Sequence, residues 1–363
     1  MRHSANLDLL RSCAVSVVLI SHLVSTLQAH AGLQNIAVLE FTNQMGIAGV
    51  LAFFVHTSLV LMYSLQRLSR TEGHVTLRFY VRRFFRIYPL SIFCIALALV
   101  FHIPNFAWRN GQIITPRVVF ANLLLVQNLV TKISVLGPMW SLPYEVQMYV
   151  VLPALYYLAL RKRSILYLCG LLALSCCLGF FVSYKTGHLN MAAYIPCFIC
   201  GVLCYSLRDR IHASISSTLW PLLILLLVTG YCLCNLHGGP NFWIGWIFCF
   251  ILGVAINAFH DSTNGRLNFF AERVALYSYG IYLLHVPALY LVFMVLGIKD
   301  MLAGTLLFVA LTTLASALTY HFIESPLIEL GRKLSSRPAR SPVVTTTLCQ
   351  SGAVEQESGG GLA

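Results

Sequence analysis

Ionisable side chains inside long apolar stretches are the residues best suited to chemistry, because each costs a few kcal/mol to keep in lipid. Arg11 and His22 share the first apolar stretch, eleven positions apart. On a helix that spacing is about 16 Å, so we expect Arg11 at the inner boundary and His22 in the outer half of a span. A neutral imidazole there can act as a general base toward an alcohol. The alternative is a histidine that only packs against a neighbouring helix.

A cluster of arginines precedes the third apolar stretch. Arg82, Arg83 and Arg86 lie in FYVRRFFRIYPL, and Arg78 stands just before it. Offsets of three and four predict that they share one helical face, with Arg78 a turn earlier. Guanidinium forks bind phosphate oxygens well, so this face predicts an anion site. Taken alone, this arginine stretch is better explained as a basic segment that only holds anionic lipid and fixes the topology.

A carboxylate stands at a membrane edge in GPMWSLPYEVQMYVVLP. Ser141 is suited to cap a helix, and Glu145 in the first turn is favoured by the helix dipole. These structural reasons do not explain why Trp140 and Tyr144 lie beside the carboxylate, in a group able to hydrogen-bond a polyol. Glu145 would either orient His22 or bind an acceptor hydroxyl.

The remaining histidines of the apolar stretches differ in their surroundings. His285 ends the segment SYGIYLLH, near mid-depth of a predicted span. His56 and His321 lack comparable neighbours and are interpreted as satisfied core or interfacial histidines. Glu145 is the acidic residue that lies clearly within a predicted span.

The elements that position these residues are predicted to be membrane helices. Of the 363 residues, 58% are apolar and 10% are charged, against about a quarter charged in soluble domains. The apolar residues form runs of about twenty, the length that crosses a bilayer. We therefore expect an all-α integral membrane protein, a bundle of about ten transmembrane helices. The predicted spans are 6–29, 46–65, 88–104, 142–160, 164–184, 190–206, 218–236, 241–259, 276–297 and 302–323.

Topology follows from the positive charges. With ten spans both termini lie on one side, and if that side is the cytoplasm, nineteen of the 24 Lys and Arg lie inside. The apolar segment 118–130 is too short for a span and is predicted to be re-entrant or interfacial. The excess of basic residues, +12 in formal charge, is better explained by topology and lipid contact than by nucleic-acid binding.

The chain is expected to form one membrane domain, 1–333, and a disordered cytoplasmic tail, 334–363, rich in Ser, Pro, Thr and Gly. The twelve cysteines lie mostly in apolar stretches without a paired ligand spacing. They are interpreted as small buried hydrophobes, with no disulfide and no metal site.

Taken together, these segments resemble the acyltransferase-3 family of membrane O-acyltransferases, in its stand-alone form without a fused extracytoplasmic hydrolase-like domain. The similarity runs in order from residue 7 to about 333. The motifs that carry it are Arg-x10-His in LDLLRSCAVSVVLISH (7–22), RRFFRIYP (82–89), WSLPYE (140–145), SYGIYLLH (278–285) and FIESP (322–326).

One motif departs from the family pattern. The usual FFVLSGF is FFVHTSL here, so that Thr57-Ser58 replaces a Ser-Gly pair and a histidine appears at position 56. The change puts in doubt the close helix packing that a glycine permits and suggests a subfamily with a different pocket.

The resemblance implies transfer of an acyl group, commonly acetyl from acetyl-CoA, to a sugar hydroxyl of an envelope polysaccharide, a lipopolysaccharide O-antigen or an exopolysaccharide. Acyl-CoA is then a donor substrate, and no permanently bound cofactor is expected. The expected partners are acyl-CoA, a carbohydrate or glycolipid acceptor and membrane lipids, in a bacterial cytoplasmic membrane. The implied roles are catalysis by His22, Arg11 and Glu145, donor phosphate binding by Arg82, Arg83 and Arg86, and substrate contact by Trp140, Ser141, Tyr144 and His285.

Two other functions fit the composition. A proton-coupled transporter or exporter would use His22 and Glu145 as proton carriers. A signalling receptor or structural membrane partner is the third class. The arginine face speaks against transport, which does not require it, and the lack of a predicted soluble domain speaks against a receptor. Neither the acceptor nor the oligomeric state is predicted by the sequence.

Overall fold

The computed structural model describes residues 4–33, 35–70, 74–103, 113–186, 191–236 and 241–336. Within these ranges the chain is helical, and the strand-like pairing is an isolated bridge between Ile215 and Phe259. The α-helices are α1 Ala5–His30, α2 Ile36–Ser69, α3 Val75–Val100, α4 Pro116–Leu123, α5 Gln127–Val130, α6 Leu142–Ala159, α7 Ser164–Thr186, α8 Met191–Leu207, α9 Trp220–Cys234, α10 Phe242–Ala258, α11 Gly265–Leu289, α12 Met301–Thr319 and α13 Ser325–Ser335.

Short helices of other types extend this set. Two 3-10 turns, Gly137–Trp140 and Ser217–Leu219, precede α6 and α9. Two π-helical turns follow α11 and α12, at Tyr290–Val295 and Tyr320–Glu324.

Polar side chains begin several of the long helices. Asn35, Asn264 and Asp300 each accept a hydrogen bond from the backbone N–H three residues later, at the starts of α2, α11 and α12. Such caps satisfy N–H groups that have no partner within the helix.

The all-helical fold and the multi-pass membrane character are confirmed. Within the described residues, each of the ten predicted ranges coincides largely with helix. Of the described helices, seven are long and apolar enough to cross a bilayer, and α8 and α10 are shorter apolar helices. The count of ten spans and the cytoplasmic location of the termini stay predictions. The seven are Ala5–His30, Ile36–Ser69, Val75–Val100, Ser164–Lys185, Ser217–Cys234, Gly265–Val295 and Met301–Ser335.

The third span begins earlier than predicted. Helix α3 starts at Val75 rather than near residue 88, so the arginine cluster lies within the helix and not before it. Arginine is a good helix former, and its long apolar stem lets it extend a membrane helix toward the interface.

The segment 118–130 is a broken helix. Helix α4 ends at Leu123, the chain turns at Leu125 with φ 55°, and α5 contains four residues. The buried Asn122 fixes this turn: its amide donates to the carbonyls of Val118 and Ile133, and its oxygen accepts from the backbone N–H of Val135. Neither piece is long enough to cross a bilayer.

Close helix crossings depend on small residues, as is usual in membranes. Helix α2 passes α1 where Gly49 faces the carbonyl of Ala14. Helix α8 passes α2 where Gly201 faces the Ser58 hydroxyl and the Val55 carbonyl, so that a Cβ at position 201 would clash with both. Gly201 on α8 therefore allows α2 and α8 to pack closely, although Ser58 on α2 replaces the glycine of the family pattern.

The end of the described chain packs on α3. Gly331 of α13 lies against the ring of Phe85, and helix α13 continues to Ser335. Leu334 and Ser335, the first residues of the predicted tail, are thus helical. Residues 337–363 lie outside the described residues.

Candidate active site

A cavity of about 100 Å³ lies between α1, α2, α3, α6 and α11. Its apolar walls come mainly from α2. Its polar lining, which includes three arginines, a histidine and a carboxylate, consists of Arg11, His56, Thr57, Arg83, Arg86, Ser141, Glu145, Tyr149, Ser278, Tyr279 and Tyr282. Four of the five family motifs therefore meet at one cavity.

Arg11 is fixed to the helix opposite. Its Nε donates to the hydroxyl of Ser278 at 2.6 Å, and that hydroxyl donates to the carbonyl of Ala275 at 2.8 Å. The charged neighbours of the guanidinium are Arg86, Glu145 and Glu324. Arg11 thus connects α1 with α11 and has two carboxylates among its charged neighbours.

Glu145 lies at the cavity, next to these arginines. It accepts a short hydrogen bond from the Tyr149 hydroxyl, one turn later on α6, and a second from Thr57. The described contacts of Glu145 are thus with Tyr149 and Thr57, and its charged neighbours are Arg11 and Arg83.

Arg86 forms a partly buried ion pair with Glu324. The Arg86 Nη1 to Glu324 Oε2 distance is 2.5 Å, and the Glu324 side chain is 1% exposed. Arg86 also lies over the ring of Tyr279, 5.5 Å from its centre. Sequence analysis missed this carboxylate because the predicted span ends at residue 323, although the FIESP motif marked it. The π-helical turn Tyr320–Glu324 ends at this residue, and π-helical turns are frequent at functional sites.

The predicted arginine face is divided between two surroundings. Arg83 lines the cavity, and its buried Nε has no hydrogen-bond partner among the described residues. The Nε of Arg82 instead donates to Ser335 of α13 at 2.9 Å, and Arg82 is not among the residues that line the cavity. Neighbouring helical residues point about 100° apart, so Arg82 cannot share the direction of Arg83. The single face is thus corrected to Arg83 and Arg86.

Ser141 joins the start of α6 to α11. Its hydroxyl lies 2.8 Å from the Tyr282 hydroxyl, which donates to the Pro138 carbonyl at 2.8 Å. Ser141 is the N-cap residue, as predicted, but its side chain makes no capping bond. Trp140 and Tyr144 pack on Tyr194, with ring centres 5.8 and 4.8 Å apart, rather than on the cavity.

His22 and His285 form a separate pair beyond Tyr282. Their ring centres are 5.0 Å apart, and that of Tyr282 lies 6.2 Å from His285. His285 is 1% exposed; its Nδ1 lies 3.1 Å from the Ile281 carbonyl, and its Nε2 has no partner among the described residues. A carbonyl can only accept, so Nδ1 carries the proton and Nε2 keeps its lone pair.

His56 was not predicted as a site residue. It is 5% exposed and lines the cavity, while its ring hydrogen-bonds the backbone of Leu7 on α1. It is therefore satisfied, as predicted, but not confined to the core. The sequence signal for a role of His56 was that FFVHTSL departs from the family pattern at this position. Within the described ranges, no three His, Cys, Asp or Glu are grouped so as to hold a metal ion.

Comparison with known proteins identifies the family. The profile of the acyltransferase-3 family, described as an acyltransferase domain, matches residues 4–321, which is most of the chain. Comparison with curated proteins and with solved structures gave no match. The matched range includes the cavity and the histidine pair. The chain therefore belongs to the acyltransferase-3 family and is a membrane acyltransferase.

Proposed function

We propose that the protein moves an acyl group, with acetyl as the expected one, from cytoplasmic acyl-CoA to a hydroxyl of a sugar-containing acceptor. The acceptor would be an envelope polysaccharide, a lipopolysaccharide O-antigen or an exopolysaccharide. The site would lie in a bacterial cytoplasmic membrane, within ten spans whose termini are both cytoplasmic. Acyl-CoA acts as a substrate and not as a resident cofactor.

The charge of the cavity carries this proposal. Three guanidiniums face it, and two carboxylates, Glu145 on the wall and Glu324 behind Arg86, balance them only in part. The buried Nε of Arg83 has no partner within the described chain. An unbalanced buried charge is costly unless an anion completes it. Phosphate oxygens fit guanidinium forks, so the pyrophosphate of CoA suits this position.

The depth of the histidine pair supports the same donor. Arg11 and His22 are eleven residues apart on one helix, about 16 Å along its axis. The arm between the pyrophosphate and the sulfur of CoA contains about a dozen bonds, about 15 Å when extended at roughly 1.2 Å per bond. A donor held by its phosphates at the cavity would bring its thioester near His22.

The proposed reaction is a direct transfer. His22 takes the proton from the acceptor hydroxyl, and the oxygen attacks the thioester carbonyl. The carbon–sulfur bond breaks, and the CoA sulfur leaves with the proton returned by His22. Arg11 supports the donor, and Glu145 holds Arg11 and Arg83 in place rather than orienting His22.

Binding of acetyl-CoA to protein in lipid nanodiscs tests the donor. Arg83→Gln is the informative variant, because it removes a phosphate ligand without depriving a carboxylate of its only partner. We expect it to weaken binding about tenfold or more, the loss of one charge-assisted hydrogen-bonding group. Added salt should weaken wild-type binding as well.

Arg163→Gln is the matched control. Arg163 is exposed in the turn between α6 and α7, so its loss changes the net charge equally without touching the cavity. Wild-type protein that is folded, as judged by cooperative thermal unfolding, and yet binds no acetyl-CoA would contradict the proposal. Proton-coupled transport through His22 and Glu145 would then be measured instead.

A further inference from the structure

Helices α1 and α11 touch at two levels along the same pair of faces. The Nε of Arg11 lies 2.6 Å from the hydroxyl of Ser278. Farther along both helices, the rings of His22 and His285 have their centres 5.0 Å apart. The two α1 residues are eleven positions apart and the two α11 residues seven, and both spacings are close to a whole number of helical turns. The packing that fixes Arg11 therefore also sets His285 beside His22.

His285 holds a lone pair in a fixed and buried position. Its Nδ1 lies 3.1 Å from the Ile281 carbonyl, which can only accept, so Nδ1 carries the proton and Nε2 does not. The residue is 1% exposed, and its Nε2 has no hydrogen-bond partner among the described residues. A buried acceptor without a donor costs free energy, so we expect a donor to meet Nε2 at some stage of the reaction.

The donor that the geometry offers is the ring of His22. At a centre-to-centre distance of 5.0 Å, two imidazoles need only turn edge to edge to bring their nitrogens within about 3 Å. The bond becomes favourable once His22 holds the proton of the acceptor hydroxyl, because an imidazolium donates from both nitrogens. Catalytic hydrogen bonds are often long in the free enzyme and tighten only in the complex that reacts.

The two carboxylates of the cavity region are held by other groups. Glu145 accepts from the Tyr149 hydroxyl, and Glu324 pairs with Arg86. A neutral imidazole is also less costly to bury in a membrane than a carboxylate. It can do for His22 what a carboxylate does for the base of a catalytic triad, which is to hold the ring and stabilise its charged form.

We propose that His285 is a positioning residue for the transfer, whose Nε2 accepts a hydrogen bond from His22 when His22 has taken the proton of the acceptor hydroxyl. His285 then acts through His22 and does not bind the acceptor itself, unlike the substrate contact that the family resemblance implies. This inference rests on the proposed function, because it needs His22 as the base.

Two amide substitutions separate the two ring nitrogens of His285. In His285→Gln the amide oxygen lies as many bonds from the backbone as Nε2, so it can still accept from His22. In His285→Asn the amide takes the place of Nδ1 and reaches only toward Ile281. The loss of stability should be similar in both variants, and the melting temperature of each checks this.

Initial rates of radiolabelled acetyl transfer to the glycan fraction of membranes from producing cells, at equal amounts of protein, give kcat and the KM for acetyl-CoA. We expect kcat to fall about 10–100-fold in His285→Asn, the effect of one hydrogen bond to a charged group, and less than about threefold in His285→Gln. The KM for acetyl-CoA should stay unchanged in both, because the donor phosphates bind elsewhere.

A double substitution tests whether His285 acts through His22. In the His22→Ala background, His285→Asn should lower the residual transfer no further, because residues that act as a unit are not additive. His30→Asn is the matched control: among the described residues the ring of His30 packs on Phe293, and kcat should keep its wild-type value.

Equal kcat values in His285→Asn and His285→Gln would overturn the positioning role and leave the proposed function intact. A fall in kcat that follows the melting temperature in both variants would make His285 a packing residue only. A further loss of transfer in the His22→Ala background would assign His285 to the acceptor instead. Folded wild type whose membranes transfer no acetyl would refute the proposed function itself, and with it the base that His285 serves.

Discussion

The guanidinium of Arg86 lies 2.5 Å from the carboxylate of Glu324, a residue 238 positions later in the chain. The pair joins α3 to the π-helical turn that follows α12, and it holds Arg86 against the cavity. The second carboxylate oxygen of Glu324, Oε1, is buried and has no hydrogen-bond partner among the described residues. The pair therefore concerns both the stability of the bundle and the charge of the site.

Removal of either member of this pair should be strongly destabilising. Glu324→Gln leaves the Arg86 charge without its carboxylate, and Arg86→Gln leaves a buried carboxylate. Breaking a buried pair from one side costs about 3–5 kcal/mol, whereas replacing both members by apolar residues is often neutral. Thermal unfolding in detergent should rank both single variants well below Arg86→Met/Glu324→Leu.

The exposed pair of Arg332 and Glu329 provides the comparison. Its loss should change stability by less than about 1 kcal/mol, because exposed ion pairs contribute little. If Glu324→Gln were no more destabilising than Glu329→Gln, the pair with Arg86 would not stabilise the bundle.

The crossing of α2 and α8 should not tolerate a side chain at position 201. In Gly201→Ala the new Cβ would meet the Ser58 hydroxyl and the Val55 carbonyl, so the helices must separate. Overpacking of this kind costs about 1–3 kcal/mol. The melting temperature should fall, and Ser58→Gly should restore part of it by removing one of the two obstacles.

Gly170→Ala is the control for that substitution. Gly170 lies in α7 with open space where its Cβ would be, so alanine should leave the stability unchanged or raise it by up to about 1 kcal/mol. Equal effects at positions 170 and 201 would mean that the two helices do not approach as closely as described.

The sequence predicted the helical fold because a membrane span needs a continuous apolar run, which can be read locally. It also identified Arg11, Arg86, Ser141 and Glu145 through their motifs. It could not assign them to one cavity, because the rotation of α1, α6 and α11 about their axes depends on packing with distant helices.

Glu324 and His56 were missed for different physical reasons. Glu324 lies one residue past a predicted span, and only the π-helical turn brings its carboxylate inward to Arg86. His56 lies in a stretch that is apolar overall, so hydropathy does not distinguish a cavity wall from the core. Arg82 shares a motif with Arg83, but the two side chains point about 100° apart around α3. Arg86 follows Arg82 by four residues and Arg83 by three, and both offsets fit one helical face, so the spacing did not separate the two arginines.

Tyr282→Phe should loosen the contact of α11 with the Gly137–Trp140 turn and the start of α6. The Tyr282 hydroxyl donates to the Pro138 carbonyl and lies 2.8 Å from the Ser141 hydroxyl, so its loss leaves two buried groups without this partner. A loss of about 1–3 kcal/mol in unfolding free energy is expected. Tyr144→Phe, whose ring packs on Tyr194, should cost less. Equal losses would show that the hydroxyl of Tyr282 does not fix the turn.

His22→Ala should separate donor binding from transfer. The ring of His22 lies beside His285 and beyond Tyr282, about 16 Å from Arg11 along α1, so it is too distant to hold the phosphates. Acetyl-CoA binding should stay within about twofold of the wild type. Transfer of radiolabelled acetyl to the glycan fraction of membranes from producing cells should fall about 10²–10⁴-fold, the usual contribution of a general base.

His30→Ala is the matched control, because the same substitution is made two turns later on α1, where among the described residues the ring packs on Phe293. It should keep both binding and transfer. A His22→Ala protein that binds acetyl-CoA and transfers acetyl at the wild-type rate would remove the base assignment. Loss of both binding and transfer in His22→Ala, with His30→Ala intact, would mean that the histidine pair shapes the donor site itself. The arginine cavity would then not be the sole determinant of donor affinity.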